Sequence, residues 1–150
     1  MTHITFLASS RPFIIPEHIE AAQRFELLDT RKLFIVHDIT EYWSDIMQPF
    51  LSMPYLYEAI GLENDAFFQY LEEEMQIGDT LQLFYMNNQN DYDYHLKRAK
   101  ELADAIDINV GSFTYKHAYG EIQLQPKTWK EELRHRTLVT NRGITTIVKY

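Results

Sequence analysis

The chain has 150 residues, 45% apolar and 14% aromatic, with a formal charge of −8 and no cysteine. That length and apolar content suit one domain with its own core and are not the composition of a disordered segment. The missing cysteine excludes disulfides, thiolate metal sites and a cysteine nucleophile, and the negative charge argues against nucleic acid as a partner, since Lys and Arg at phosphates dominate that affinity.

Residues 1–13 lack the basic start and apolar run of a secretory signal, and no stretch approaches the apolar length of a membrane span. The expectation is a cytoplasmic protein with no membrane contact.

Along the chain, Ile4 and Phe6 alternate with Thr5 and predict a strand over residues 3–7, closed by Ser9, Ser10 and Pro12. Pro16 suits a first helical turn, and residues 17–28 carry Ile19, Ala22 and Phe25 on one side of a helix. Residues 33–39 are a nearly continuous apolar run, which reads as the central strand, covered on both faces. Residues 41–47 predict a short helix capped by Asp38 or Thr40, before Pro49 and Pro54 force extended chain.

Residues 55–60 read as a strand ended by Gly61, and Asn64 as the cap of a helix over residues 65–76, stopped by Gly78. Residues 80–86 predict a strand and residues 87–91 a polar loop. The strongest helical pattern spans residues 92–106, where Tyr92, Leu96, Ala99, Leu102, Ala103 and Ile106 share a sector that should pack on the sheet. Residues 108–115, with Gly111 as a bulge, and 119–124 read as a hairpin. Thr128 and Glu131 have the spacing of a capping box for a short helix, and residues 144–148 make the last strand. Several connections are too short for a helical crossover, so the fold class is α+β, a single domain with a mixed or largely antiparallel sheet and helices packed on it.

Charge is unevenly spread. Residues 33–96 hold twelve Asp and Glu and no Lys or Arg, whereas residues 97–150 hold ten basic side chains against six acidic ones. Two arrangements follow: the halves face and neutralise each other, or the acidic half is a surface for a basic partner. Twelve of the 21 aromatic residues also fall between Tyr42 and Tyr94, inside the acidic stretch. Aromatics in predicted strands and helices are expected to pack inward. If they instead meet carboxylates at the surface, Tyr42, Trp43, Glu72, Glu73, Asp91, Tyr92, Asp93 and Tyr94 are the candidate binding residues.

Motifs for catalysis are few. His37 and Asp38 adjoin, as ligands do in metal-dependent phosphohydrolases, but such sites need further ligands converging on the pair. The six histidines, His3, His18, His37, His95, His117 and His135, make no helical zinc pair, and His95 reads as a core or boundary residue. The run Glu72, Glu73 and Glu74 reads as a solvated helix face. Residues 87–93 lack the Gly and Glu of a calcium loop, and five glycines write neither a phosphate loop nor a dinucleotide fingerprint. No Gly-x-Ser-x-Gly elbow is present.

The opening residues Ile4 to Phe13, the pair Pro54 and Tyr55, and the ending Gly143 to Ile147 together resemble small uncharacterised proteins of Gram-positive bacteria. The resemblance spans the chain, implies a cytoplasmic bacterial protein, and brings no activity or site residues with it.

The expected function is therefore a non-enzymatic binding module whose acidic, aromatic surface meets a protein or peptide, a basic one being its natural complement. No cofactor and no metal is expected on this reading. The alternative is a metal-assisted hydrolase built on His37 and Asp38, with the metal activating a water.

Overall fold

The computed structural model describes residues 3–23, 33–87, 93, 96–97, 100–101, 104–140 and 142–150. In chain order the described elements are β1 (His3–Ser9), α1 (Glu17–Gln23), β2 (Ile35–Asp38), α2 (Glu41–Met47), β3 (Tyr55–Ile60), α3 (Asp65–Glu73), β4 (Thr80–Asn87), β5 (Ile106–Asn109), β6 (Thr114–His117), β7 (Gly120–Gln123), α4 (Trp129–Arg134) and β8 (Thr145–Val148). The strands form one eight-stranded sheet in the order β2-β3-β1-β4-β8-β5-β6-β7. Among the described strands only the β5–β8 pair is parallel, so the sheet is mixed and the fold α+β, as the short connections require.

Strand alternation sorts side chains onto two faces. Leu7, Leu81, Leu83, Ile108, Tyr115 and Ile147 pack under α1, α3 and α4, which contribute Ile19, Phe67, Phe68, Leu71, Trp129 and Leu133. Phe6, Ala8, Phe84 and Met86 point the other way, beneath Trp43 and Met47 of α2 and the following Phe50 and Leu51. Leu96 packs against this second cluster, and residues 93, 96, 97 and 100 are helical, in keeping with the strong periodicity there. Leu102 and the rest of that apolar sector, apart from Leu96 and Ile106, lie outside the described residues.

Local interactions fix the joints. Arg11, just past β1, donates from Nε to Asp79 Oδ2 at 2.8 Å and from Nη2 to the Glu74 carbonyl at 2.8 Å, tying β1 to the end of α3 and the start of β4. Thr40 caps α2 as expected, its Oγ1 accepting from the Trp43 N–H at 3.5 Å. Gly61 turns with φ +83°, and a Cβ there would run into the Leu33 carbonyl.

Several expectations are corrected. Residues 33–39 do not supply the central strand: β2 is the sheet's edge, and of its residues Ile35 and Val36 are half-buried while His37 and Asp38 are exposed. The strand buried on both faces is β1, third in the sheet and flanked by β3 and β4. Ile106 opens β5 rather than ending a helix, because its place is the parallel ladder with Thr145. Residues 108–115 are not one bulged strand but a strand, a turn through Gly111 and Phe113, and a second strand; Phe113 has φ +58°. Asn64 stands at the N-cap of α3 without capping it, since its Nδ2 donates to the Leu33 carbonyl at 2.7 Å. Helix α3 ends at Glu73, short of Gly78. At α4 the box of Thr128 and Glu131 does not form; Glu132 reaches back to accept from the Gln125 N–H at 2.7 Å. Of the helix predicted over residues 17–28, α1 covers the first part and the remainder is outside the described residues.

Two buried polar groups make the fold's energetics testable. Thr145 is fully buried between Leu83 and Ile106 on the neighbouring strands, and its Oγ1 has no partner among the described residues. Thr145→Val keeps the shape and removes the orphaned hydroxyl, so it should raise the unfolding free energy by about 1 kcal/mol in urea titrations.

Tyr70 stacks on Phe13 with ring centroids 4.2 Å apart, and burial pushes its phenol up to about 12, with the Arg11 guanidinium acting in the opposite sense. The folded chain keeps a proton that the unfolded chain releases near pH 10. This contribution is therefore whole below pH 10 and lost as pH rises from 10 to about 12. Urea unfolding across that range should lose up to about 1.4 kcal/mol per pH unit through this group, and Tyr70→Phe should remove that part of the slope.

Candidate functional site

A concavity lined by polar and aromatic side chains lies where β6 passes under the chain that leaves α4. Strand alternation turns Tyr115 and His117 to the same face, the one covered by α1, α3 and α4. His117 pairs with Gly120 across the β6–β7 hairpin, which leaves Ala118 and Tyr119 as the turn. The Tyr119 N–H donates to His117 Nδ1 at 3.2 Å, so the neutral imidazole carries its proton on Nε2. Three rings form a ladder, Tyr115 to His117 at 5.5 Å and His117 to Tyr119 at 5.8 Å between centroids.

The opposite wall is the segment after α4. Buried Leu138 anchors it, Tyr115 Oη donates to the Thr137 carbonyl at 2.8 Å, and the Tyr85 N–H donates to the Thr140 carbonyl at 3.3 Å. Burial pushes the Tyr115 phenol up, with Arg136 opposing, so the hydroxyl stays protonated and a donor. These bonds hold Arg136 with its guanidinium carbon 5.5 Å from the centre of the Tyr115 ring. The cleft between the walls has a volume of about 420 Å³ and is lined also by Asp104, Ile106 and His135.

Its electrostatics are set by which charges are already matched. Asp104 lies 3.7 Å from Arg142. Arg136 has no ion pair and no side-chain hydrogen bond among the described residues, and its Nε is shut off from solvent. An arginine on a ring gains cation–π attraction but still presents donors that seek an acceptor. With His117 and His135 beside it, the cleft offers N–H donors and positive charge to an oxyanion.

Among the described residues, the candidates read from the sequence do not converge. Tyr42 is exposed on α2, whereas Trp43 is buried against Phe6 at 5.5 Å. Glu72 and Glu73 lie on α3, across the sheet from α2. Asp93 is exposed in the helical segment; Asp91, Tyr92 and Tyr94, like His95, lie outside the described residues. Helix α4 supplies cations to α3: Arg134 is 2.6 Å from Asp65 and Lys130 is 3.1 Å from Glu72. To that extent the acidic and basic halves of the chain face each other.

His37 and Asp38 are neighbours on a strand and so point to opposite sides of the sheet, which prevents both from holding one metal ion. The described residues close enough to share an ion are His18, Glu73 and Glu74, with ligand atoms within 4.8 Å of one another. Sequence reasoning missed this group because α1 and α3 meet only in the fold. It is closed on itself: His18 Nε2 is 2.8 Å from Glu73 Oε2, and Gln69 Nε2 is 3.3 Å from both Glu73 oxygens. The His18 hydrogen bond holds the Glu73 carboxyl below its ordinary range.

The cleft residues were missed as a site for the same reason. His117, Tyr119 and Arg136 are scattered in sequence, and the one local signal is a tyrosine at the tip of a short hairpin turn. Compared with protein-family models, curated proteins and solved structures, the chain matches none. No helix among the described residues is long and apolar enough to cross a membrane.

Proposed function

We propose that this chain is a binding protein that takes an oxyanion-bearing small molecule into the cleft of His117, His135 and Arg136. The observation that carries the reading is Arg136, a guanidinium held against Tyr115 at the cleft with no acceptor of its own among the described residues. The side chain is half-buried and only its Nε is closed off, so its terminal N–H groups can meet an incoming carboxylate or phosphate in charge-assisted hydrogen bonds. The volume is in the range of small-ligand sites. Phosphate titrated into histidine-labelled protein should shift the ring signals of His117 and His135 at low ionic strength. Arg136→Met should weaken this at least tenfold, on the scale of a charged hydrogen bond. Unmoved ring signals would sink the proposal.

A second reading retains the protein or peptide partner. Asp38, Glu41 and Asp45 are exposed and make no ion pair among the described residues; Glu41 and Asp45 share α2 with Tyr42, which is 59% exposed, and Asp38 ends β2 just before that helix. This patch on and beside α2 suits a basic partner. A Lys- and Arg-rich peptide should perturb the Tyr42 ring signals at low salt and release them at high salt, with no such effect in the Glu41→Lys, Asp45→Lys double variant. Equal perturbation of wild type and variant would count against it.

A further inference from the structure

We infer that the anion this cleft takes is the phosphate of a compound that also carries a flat aromatic ring, a ligand of mononucleotide size, an inference that rests on the oxyanion reading above. The ring ladder is the ground for it. Arg136 stands over Tyr115 at one end, and at the other Tyr119 is 93% exposed although it is a large aromatic at the tip of a two-residue turn. Turn tips favour Gly, Asn and Asp for backbone reasons, and Tyr119 gains almost no burial in the fold to offset its apolar exposure. His117 meets it edge-on, at an interplanar angle of 62°, and the Tyr119 N–H bond to His117 Nδ1 fixes the turn. The exposed ring thus borders the cleft as a stacking platform.

The spacing joins the two functions. His117 lies between the platform and the ring that carries Arg136, and its Nε2 proton is available to a bridging oxygen. Two imidazoles and a guanidinium supply enough donors for the three terminal oxygens of a phosphate, more than a carboxylate can use. A polynucleotide is disfavoured by the chain's charge of −8, whereas a single phosphate needs only the local cations. The cleft of about 420 Å³ accepts one nucleotide-sized molecule.

Calorimetric titration of the whole chain with inorganic phosphate, ribose 5-phosphate, adenosine 5′-monophosphate and uridine 5′-monophosphate tests this. At least one nucleotide should bind roughly fivefold to a hundredfold tighter than ribose 5-phosphate, the usual worth of a base stacked on an aromatic side chain. Tyr119→Ala should bring the nucleotide down to the affinity of ribose 5-phosphate for the same variant, and Tyr119→Phe should restore the advantage. Because Tyr119 is exposed, neither variant threatens folding. If both nucleotides bind no better than ribose 5-phosphate, the aromatic ligand is wrong while the oxyanion site stands; if Tyr119→Ala keeps the advantage, the Tyr119 platform is wrong and the inference falls with it. If phosphate also fails to bind, the oxyanion reading falls and this inference with it.

Discussion

The arrangement hangs on β1 being shut off from water on both faces. Phe6, Leu7 and Ala8 are each fully buried in succession, which no strand at the edge of a two-layer structure can achieve. Burying a Phe or Leu side chain contributes roughly 1.5–3 kcal/mol, so such a strand demands cover from both sides. Helix α2 and the chain after it supply one cover, and α1, α3 and α4 the other. With seven residues of β1 paired to β4 and five to β3, the register of the neighbouring strands follows from β1 as well. The covers do not extend equally. Beyond β8, the face opposite α4 carries Asp107, Lys116 and Glu121 as cross-strand neighbours, a solvated surface of alternating charge.

This asymmetry divides the electrostatics into three regions. Where α3 meets α4, carboxylates and cations are matched in pairs. Around α2 and β2, Asp38, Glu41 and Asp45 have no ion pair among the described residues. At the β6 cleft the balance is locally positive, because Asp104 is engaged by Arg142 and Arg136 by nothing of opposite charge among the described residues. A positive cleft in a molecule of charge −8 repels polyanions at long range and attracts a single anionic group at short range, since fields between exposed charges decay over about 10 Å in ordinary salt.

Much of this architecture was legible from short-range patterns, and the losses have identifiable causes. Alternation over β1, the Thr40 cap and the turn at Gly61 depend on a few consecutive residues, and all are present. The apolar run of residues 33–39 looked central because burial on two faces and burial at one end of an edge strand leave the same composition; only Phe34 within it is fully covered. Asn64 looked like a cap because the competing acceptor, the Leu33 carbonyl, is 31 residues away in sequence. Ile106 continued a helical period that ends where a parallel partner takes over, and that partner, β8, lies far along the chain. For the cleft, the histidines looked dispersed because a hairpin and a return segment bring them together, and neither contact has a local signature.

Whether such a cleft can bind depends on how much of its geometry exists before a ligand arrives. Tyr115 answers this by making two contacts with the same short segment: its hydroxyl donates to the Thr137 carbonyl, and its ring lies beneath the guanidinium of the preceding residue. Tyr115 is itself buried in the core cluster, paired through β6 with β5 and β7, so the segment inherits the rigidity of the sheet. Leu138 and the Tyr85 bond to Thr140 hold its far side. Arginine side chains carry large rotamer entropy, about 2 kcal/mol when fully lost, and the aromatic contact removes part of that freedom in advance. The cost of ordering Arg136 is then met by folding rather than by binding, which is the condition under which one cation and two imidazoles can hold a small anion against water.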